Sequence, residues 1–294
     1  LARWGFWGFF ASLGLLVYTI IGGWIGMGAQ RWLSLYFFRF QPSELIKLFF
    51  PVFAATLFSE LDLPKYQMAR TEAPFNDFIF PLGALFVSFV LILKQPDLGT
   101  ALVVLGSGMI LFWFIGIGRR FFLIIGIVGL LCAPLFWNVL KPYQKQRVMV
   151  LFGYGDANKE RYQVEQSKIA IGSGGAWGKG LLQGTQNKLG FLPEDHTDFI
   201  FSVVCEEIGF AGALLIIMLY LLLFSRIIWA IVQIKNFFEQ IIAVGLVTHI
   251  LLAVCINIGM VTGVLPVVGI PLPLLSYGST NLWIVLASLG WLNN

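Results

Sequence analysis

Charge is what this 294-residue sequence has least of: 12% of its residues are Asp, Glu, Lys or Arg, against about a quarter in soluble domains. A large soluble core does not account for the deficit, because the uncharged runs reach membrane-spanning length, roughly 20 apolar residues per helix. Cysteine is also scarce. Cys132, Cys205 and Cys255 all lie inside apolar runs without metal-type neighbours. That excludes a disulfide framework and leaves them as small packing residues. The alternation of an outer-membrane barrel is missing as well, which removes the β class of membrane protein. A net charge of +4 is modest and implies no nucleic-acid partner, so the placement of charges matters more than their sum.

What is present is 58% hydrophobic residues, gathered in uncharged runs at about 4–30, 48–59, 78–93, 98–118, 121–140, 208–225 and 240–294. Gly263, Pro266, Gly269, Pro271, Pro273 and Gly278 break the last run. It splits into spans near 240–262 and 281–294 around a re-entrant segment at 264–280, too apolar for a solvated loop. The second and third spans are short and extend through polar ends that face protein or water. The reading is an all-α, polytopic integral membrane protein: about eight transmembrane helices in a single transmembrane domain, 1–294, with a large extracytoplasmic loop at 141–197. The chain opens with Leu1 and stops at Asn294 soon after the last run begins, so both ends read as cuts through a larger protein.

Sidedness is read from the basic residues. The connections at 60–77, 116–120 and 226–239 carry Lys65, Arg70, Arg119, Arg120, Arg226 and Lys235, with Arg3 on the same side. Those opposite carry Arg31, Arg39 and Lys94, so the first set is assigned to the cytoplasm. The 141–197 loop, on the outer side, holds eight basic residues (Lys141, Lys145, Arg147, Lys159, Arg161, Lys168, Lys179, Lys188) against Asp156, Glu160 and Glu165. Such a surface suits a diphosphate or an anionic headgroup, and equally a solvated loop meeting lipid phosphates.

Within that loop, Gly172-Ser173-Gly174-Gly175-Ala176-Trp177-Gly178-Lys179-Gly180 fails both nucleotide fingerprints. Gly180 follows Lys179 where a P-loop needs Ser or Thr, and Trp177 stands where a dinucleotide fold needs glycine. Glycines still let backbone N–H groups approach an anion. Pro193-Glu194-Asp195-His196-Thr197-Asp198 brings three carboxylates and a histidine to the mouth of a span. Partial desolvation of Asp198 before Phe199 would raise its pKa toward that of a working base, while helix capping is the structural alternative. Glu206 and Glu207 lie deeper and are expected to meet a basic residue or polar backbone. Glu44 and Lys47, spaced i and i+3, are expected to pair on one helix face. Arg31-Trp32 fits a phosphate or sugar site, and Lys94-Gln95-Pro96-Asp97 is either a ligand site or a buried ion pair. His249 reads as a hydrogen-bonded packing residue.

Taken together, Gly28-Ala29-Gln30-Arg31-Trp32, Gln41-Pro42-Ser43-Glu44, Gln95-Pro96-Asp97-Leu98-Gly99-Thr100, the Gly172–Gly180 stretch, Pro193–Phe199 and Pro271-Leu272-Pro273-Leu274-Leu275-Ser276-Tyr277-Gly278 resemble, in order, the motifs of the SEDS family of RodA and FtsW. Gly184-Thr185-Gln186 and Gly178-Lys179-Gly180 look more like RodA, whereas Ser279 departs from the second glycine usual after Ser-Tyr-Gly. The resemblance implies ten spans in the family, of which these would be the third to the tenth, the last incomplete. It also implies a peptidoglycan glycosyltransferase of the bacterial inner membrane that polymerises lipid II at an outward-facing site. Undecaprenyl diphosphate would leave, and a class B penicillin-binding protein (a transpeptidase) would be the partner in cell elongation and shape. By that resemblance Asp198 is the catalytic residue. Substrate contacts are expected from Arg31, Trp32, Glu44, Lys47, Lys94, Gln95, Asp97, Lys168, Lys179, His196, Thr197, Ser276 and Tyr277. No metal-ligand spacing appears, so a divalent cation such as Mg or Mn would ride on the substrate's phosphates. A lipid II flippase and a non-catalytic scaffold for the transpeptidase are the competing classes.

Overall fold

The computed structural model describes residues 2–26, 29–35, 38–59, 75–139, 142–151, 154, 160–192, 194 and 196–293. Gly28, Lys65, Arg70, Lys141, Asp156, Lys159, Pro193 and Asp195 lie outside the described residues, as does the side chain of Glu160. Each of the eight expected spans coincides with a helix: α1 (Ala2–Gly22), α2 (Pro42–Ser59), α3 (Phe75–Lys94), α4 (Leu98–Ile115), α5 (Arg119–Val139), α9 (Ile200–Gln233), α10 (Phe237–Val261) and α11 (Ser279–Leu292). Among the described residues six of these, all but α5 and the shorter α11, are long and apolar enough to cross a membrane. Three short helices, α6 (Pro142–Leu151), α7 (Glu160–Ser173) and α8 (Thr185–Lys188), lie in the 141–197 connection.

The chain forms two compact units, one of residues 1–126, 226–252 and 279–294, the other of 127–225 and 253–278. In the first, α2 is the central helix, with 67% of its span buried against 28% for α1. This burial explains how α2 tolerates Glu44 and Lys47, since a charge in a membrane helix needs protein around it. Aromatic rings fill the space on its other faces. Phe53 stacks on Phe9 with centroids 4.4 Å apart, and Phe50 meets Phe112 edge-on at 5.9 Å. Helix α10 approaches α2 at Gly245, where a Cβ would fall 2.5 Å from the Pro51 ring.

One element departs from expectation. The first run was expected to be helical to residue 30, but α1 stops at Gly22. Its 21 residues already reach about 31 Å at 1.5 Å each, enough for the hydrocarbon layer. Beyond it the chain turns into a three-stranded antiparallel meander, β1 (Trp24–Gly26), β2 (Ala29–Leu35) and β3 (Phe38–Phe40), ordered β1-β2-β3. Trp24 pairs with Trp32 and Ser34 with Arg39. This small sheet sets the position of Arg31.

Helix α9 is 34 residues long, with residues 200–225 in the second unit, and kinks there at Gly209, whose φ of 77° suits glycine alone. The kink leaves backbone groups without helical partners, and the glycine-rich stretch supplies them. Phe210 and Ala211 N–H donate to the Gly175 and Ala176 carbonyls, at 2.8 and 3.1 Å. Lys179 and Gly180 N–H return to the Glu206 and Glu207 carbonyls, at 3.0 and 2.9 Å. A broken helix persists at membrane depth only where protein satisfies it in this way.

Gly245→Leu would drive a side chain into Pro51 and is expected to lower stability by about 1–3 kcal/mol, read as a fall in unfolding temperature in detergent. Gly126→Leu, with open space at its Cβ, should leave that temperature unchanged.

Candidate active site

Two groups of polar side chains, one in each unit, account for most of the residues singled out by sequence, and Lys179 stands apart from both. In the first unit Asp97 is the hub. Its carboxylate accepts from Gln41 Nε2 at 2.5 Å and from the Thr100 backbone N–H at 3.1 Å, which caps α4. Arg31 NH1 stands 3.8 Å away as its ion-pair partner, one quarter exposed where Asp97 is buried. Gln95 turns inward and donates to the Leu16 carbonyl and to Thr19 Oγ1, at 3.0 and 2.9 Å, tying the α3–α4 turn to α1. Lys47 Nζ and Glu44 Oε1 pair at 2.6 Å, both buried, as the i, i+3 spacing predicts. Trp32 is half-buried and Lys94 exposed at the end of α3.

The second group is built on backbone. Residues 196–199 form the turn that leads into α9, and the N–H groups of Thr197, Asp198 and Phe199 all donate to the Glu194 carbonyl, at 3.2, 3.1 and 3.2 Å. Their carbonyl sides are gripped from the 262–278 segment and from α10. Tyr277 N–H donates to the His196 carbonyl at 2.9 Å, Ser276 Oγ to the Thr197 carbonyl, and Asn257 Nδ2 to the Asp198 carbonyl at 2.9 Å. Asn257 also donates to the Ile270 carbonyl at 2.7 Å. Ser276 is itself held by the Leu272 N–H at 2.7 Å.

With the main chain fixed, the side chains of His196, Thr197 and Asp198 are presented. Asp198 is half-buried, and its carboxylate lies against Gly269, where a Cβ would come within 3.4 Å of Oδ2. Gly269 has φ +74° and leaves room for the carboxylate. Thr197 Oγ1 donates to Glu194 Oε2 at 3.0 Å. Lys168 on α7 lays its ammonium against Gly263, and neighbouring Ser167 bonds Ser202 Oγ at 2.7 Å and the Val261 carbonyl at 2.6 Å. This locks α7 to α9 and α10. Tyr277 contributes its N–H to the grip while its ring is exposed.

Lys179 is held elsewhere. Its ammonium donates to Glu206 Oε1 at 2.6 Å and to Thr185 Oγ1 at 2.9 Å. The backbone N–H groups of Thr185 and Gln186 reach the same carboxylate oxygen at 2.8 and 3.2 Å. Glu206 thus meets both the basic residue and the polar backbone expected of it. The anion-cradle reading of the glycine-rich stretch is corrected, because the N–H groups of Gly178, Lys179 and Gly180 bond the carbonyls of Gly174, Glu206 and Glu207. Sequence reasoning missed Asn257. A lone amide between Ile256 and Ile258 in an apolar span was the signal, since intramembrane polar residues are costly unless they have work to do.

Fold and site together define a multi-span helical membrane protein that carries a carboxylate-bearing loop clamped onto an irregular Pro/Gly segment. A family model described as cell cycle protein, covering FtsW, RodA and SpoVE, matches residues 1–294, and the chain belongs to that family. It is 43% identical over 281 residues to the peptidoglycan glycosyltransferase MrdB of Escherichia coli, covering 94% of this chain and 73% of that one. It is 36% identical over 294 residues to a probable peptidoglycan glycosyltransferase FtsW of a Geobacter species, covering 98% and 77%. Among solved structures, one describing polymerization and crosslinking by a peptidoglycan synthase complex aligns with a TM-score of 0.80 at 31% identity, over 99% of this chain and 80% of that chain. The rod shape determining protein RodA of Thermus thermophilus aligns at 0.69 and 29%, over 99% and 77%.

Asn257→Leu would strip donors from two carbonyls, at about 1–3 kcal/mol each, and is expected to speed hydrogen–deuterium exchange at 196–199 and 268–272. Lys47→Met alone, which strands a buried carboxylate, should cost about 3–5 kcal/mol in thermal unfolding. Glu44→Gln with Lys47→Met should cost much less, because no unpaired charge is left behind.

Proposed function

We propose that this chain is a peptidoglycan glycosyltransferase that joins lipid II units into glycan strands. The observation that carries the reading is the fixed presentation of Asp198. All three carbonyls of 196–198 are held by partners in one unit, and the carboxylate is half-buried beside Gly269. The reaction needs a base in a defined place. Asp198 takes the proton from an acceptor sugar hydroxyl, and the hydroxyl oxygen forms a bond to the donor's anomeric carbon. The bond from that carbon to the diphosphate oxygen breaks, and undecaprenyl diphosphate leaves with the electron pair. A carboxylate whose backbone cannot drift holds such a geometry without reorganisation.

Negative charge grows on the departing diphosphate, and Lys168, whose ammonium lies against Gly263, is a cation of this unit proposed for it. Lys168 is an exposed residue, whereas Lys179 is bound to Glu206. Arg31, Trp32 and Lys94 in the other unit are proposed contacts for the substrate's phosphate or sugar groups on their chemistry alone, as are His196, Thr197 and Tyr277. Gln95, Asp97, Glu44 and Lys47 hold parts of the first unit in place, and Ser276 holds the Asp198 turn in the second. Among the described residues no three His, Cys, Asp or Glu side chains gather as a metal site. The divalent cation proposed here arrives on the substrate's phosphates.

The distribution of basic residues favours a bacterial inner-membrane protein with the 141–197 connection facing the periplasm. A class B penicillin-binding protein is the proposed partner, which crosslinks the strands as they form. In an assay of purified protein with that partner and labelled lipid II, wild type is expected to give a ladder of glycan products. Asp198→Asn should lower the rate by at least about 100-fold, the scale of a lost general base. Equal ladders would move the base elsewhere. Protein-dependent transfer of lipid II across vesicles with no ladder from either form would replace polymerisation with transport.

A further inference from the structure

We propose that residues 177–191 form a membrane-dipping platform, whose apolar side chains enter the boundary between lipid headgroups and acyl chains beside the start of α9. Five large apolar residues stand outward there: Trp177, Leu181, Leu182, Leu189 and Phe191, exposed by 84, 72, 77, 65 and 43%. A free loop of this composition would fold its side chains inward. This one does not, because its backbone is tied down. Gln183 N–H bonds the Gly180 carbonyl, Leu189 N–H the Thr185 carbonyl and Phe191 N–H the Gln186 carbonyl, while the Glu206 carboxylate gathers Lys179, Thr185 and Gln186. Leu182 even holds a left-handed backbone, φ +58°, which costs a branched side chain energy and recurs at functional positions.

The depth of the platform can be counted along α9. Beyond the kink at Gly209 the helix runs without a charge through residues 210–225, 16 residues or about 24 Å, most of the roughly 30 Å of hydrocarbon. The kink, with Glu206 and Glu207 just before it, therefore lies near one boundary of that layer. The segment is bonded to α9 at that level, through the carbonyls of Glu206 and Glu207 and the N–H groups of Phe210 and Ala211. The exterior of α9 is already apolar there, with Ile208 and Phe210 exposed by 42 and 68%. The exposed side chains therefore continue a lipid-facing surface at the level where tryptophan concentrates in membrane proteins. Lys188, exposed in the same segment, suits the phosphates above. Depth and continuity favour lipid over a protein partner. The inference rests on the chain being a membrane protein, not on the polymerase reading. Its consequence is geometric: the platform ends at buried Leu192, shortly before Asp198 in the chain, and so sets the height of Asp198 over the bilayer.

The test uses Leu182→Cys and, independently, Trp177→Cys, each carrying a polarity-sensitive fluorophore in phosphatidylglycerol–phosphatidylcholine nanodiscs. The signal of identically treated wild type is subtracted for Cys132, Cys205 and Cys255. Glu165→Cys on the exposed face of α7 serves as the control. Expected are a blue-shifted emission at both platform sites and its loss when lipids carry a nitroxide near the headgroup, with neither effect at the control. Solvent-like, unquenched emission at both sites overturns the proposal. So does a blue shift that appears only on adding the transpeptidase partner, which would make the patch a protein-docking surface.

Discussion

The side-chain amide of Asn257 is the single group on which the geometry of the second unit most depends. It sits in an apolar helix, fully buried, and its two hydrogens go to carbonyls of two different segments, Asp198 and Ile270. Neither segment is regular helix at that point, so neither can satisfy those carbonyls by itself. In a medium without water, an irregular backbone persists only where some other part of the protein supplies its hydrogen bonds. The irregular stretch at 262–278 and the turn before α9 therefore need each other, and Asn257 joins them. Tyr277 and Ser276 then extend one contact into a clamp along three consecutive residues.

A related economy governs charge. The buried or partly buried carboxylates Glu44, Asp97 and Glu206 each have a cationic partner, in Lys47, Arg31 and Lys179. Two of these pairs also take up backbone N–H groups, at Thr100 and at Thr185 and Gln186. Such pairs add little net stability but are costly to break; those of Asp97 and Glu206 hold neighbouring elements in register, whereas Glu44–Lys47 lies within α2. The consequence for function is selective. Residues whose polar atoms are consumed in this way, such as Gln95 or Lys179, hold parts of the molecule together. His196, Thr197 and Asp198, carried on a backbone held from both sides, are the ones for which substrate contact is proposed.

Sequence carried the helical architecture well, because uncharged runs of membrane length have one physical interpretation. It was also enough to pair Glu44 with Lys47, since helical spacing settles which residues are neighbours. Three things escaped it for definite reasons. The uncharged run continues to about residue 30, so a charge-based reading extends the helix over β1, and it carries no signal for β2 and β3 in the connection beyond. The glycine-rich stretch looks like an anion cradle because glycine permits close approach to anything. Only the structure shows that what approaches is the kinked backbone of α9. Asn257 was visible as an oddity, but its two partners lie 59 and 13 residues away in sequence, and nothing in the spacing names them.

The two irregularities of the second unit are solved differently, and the difference bears on catalysis. At Gly209 the break in α9 is closed by main chain against main chain, four hydrogen bonds that use no side chain. Substitutions can vary around such a joint provided glycine keeps the φ, so it suits a structural support. At Asp198 the turn is held by side-chain donors, Ser276 and Asn257, with the Tyr277 N–H. That arrangement depends on identity at each position, and it fixes the turn from its carbonyl side while Glu194 fixes it from the N–H side. Both sides of the peptide chain are then occupied, and the Asp198 carboxylate is carried on a backbone already held in place beside Gly269. For the base role proposed for Asp198, such a turn needs no rearrangement of its main chain, because the hydrogen bonds that hold its backbone are already made in the free protein.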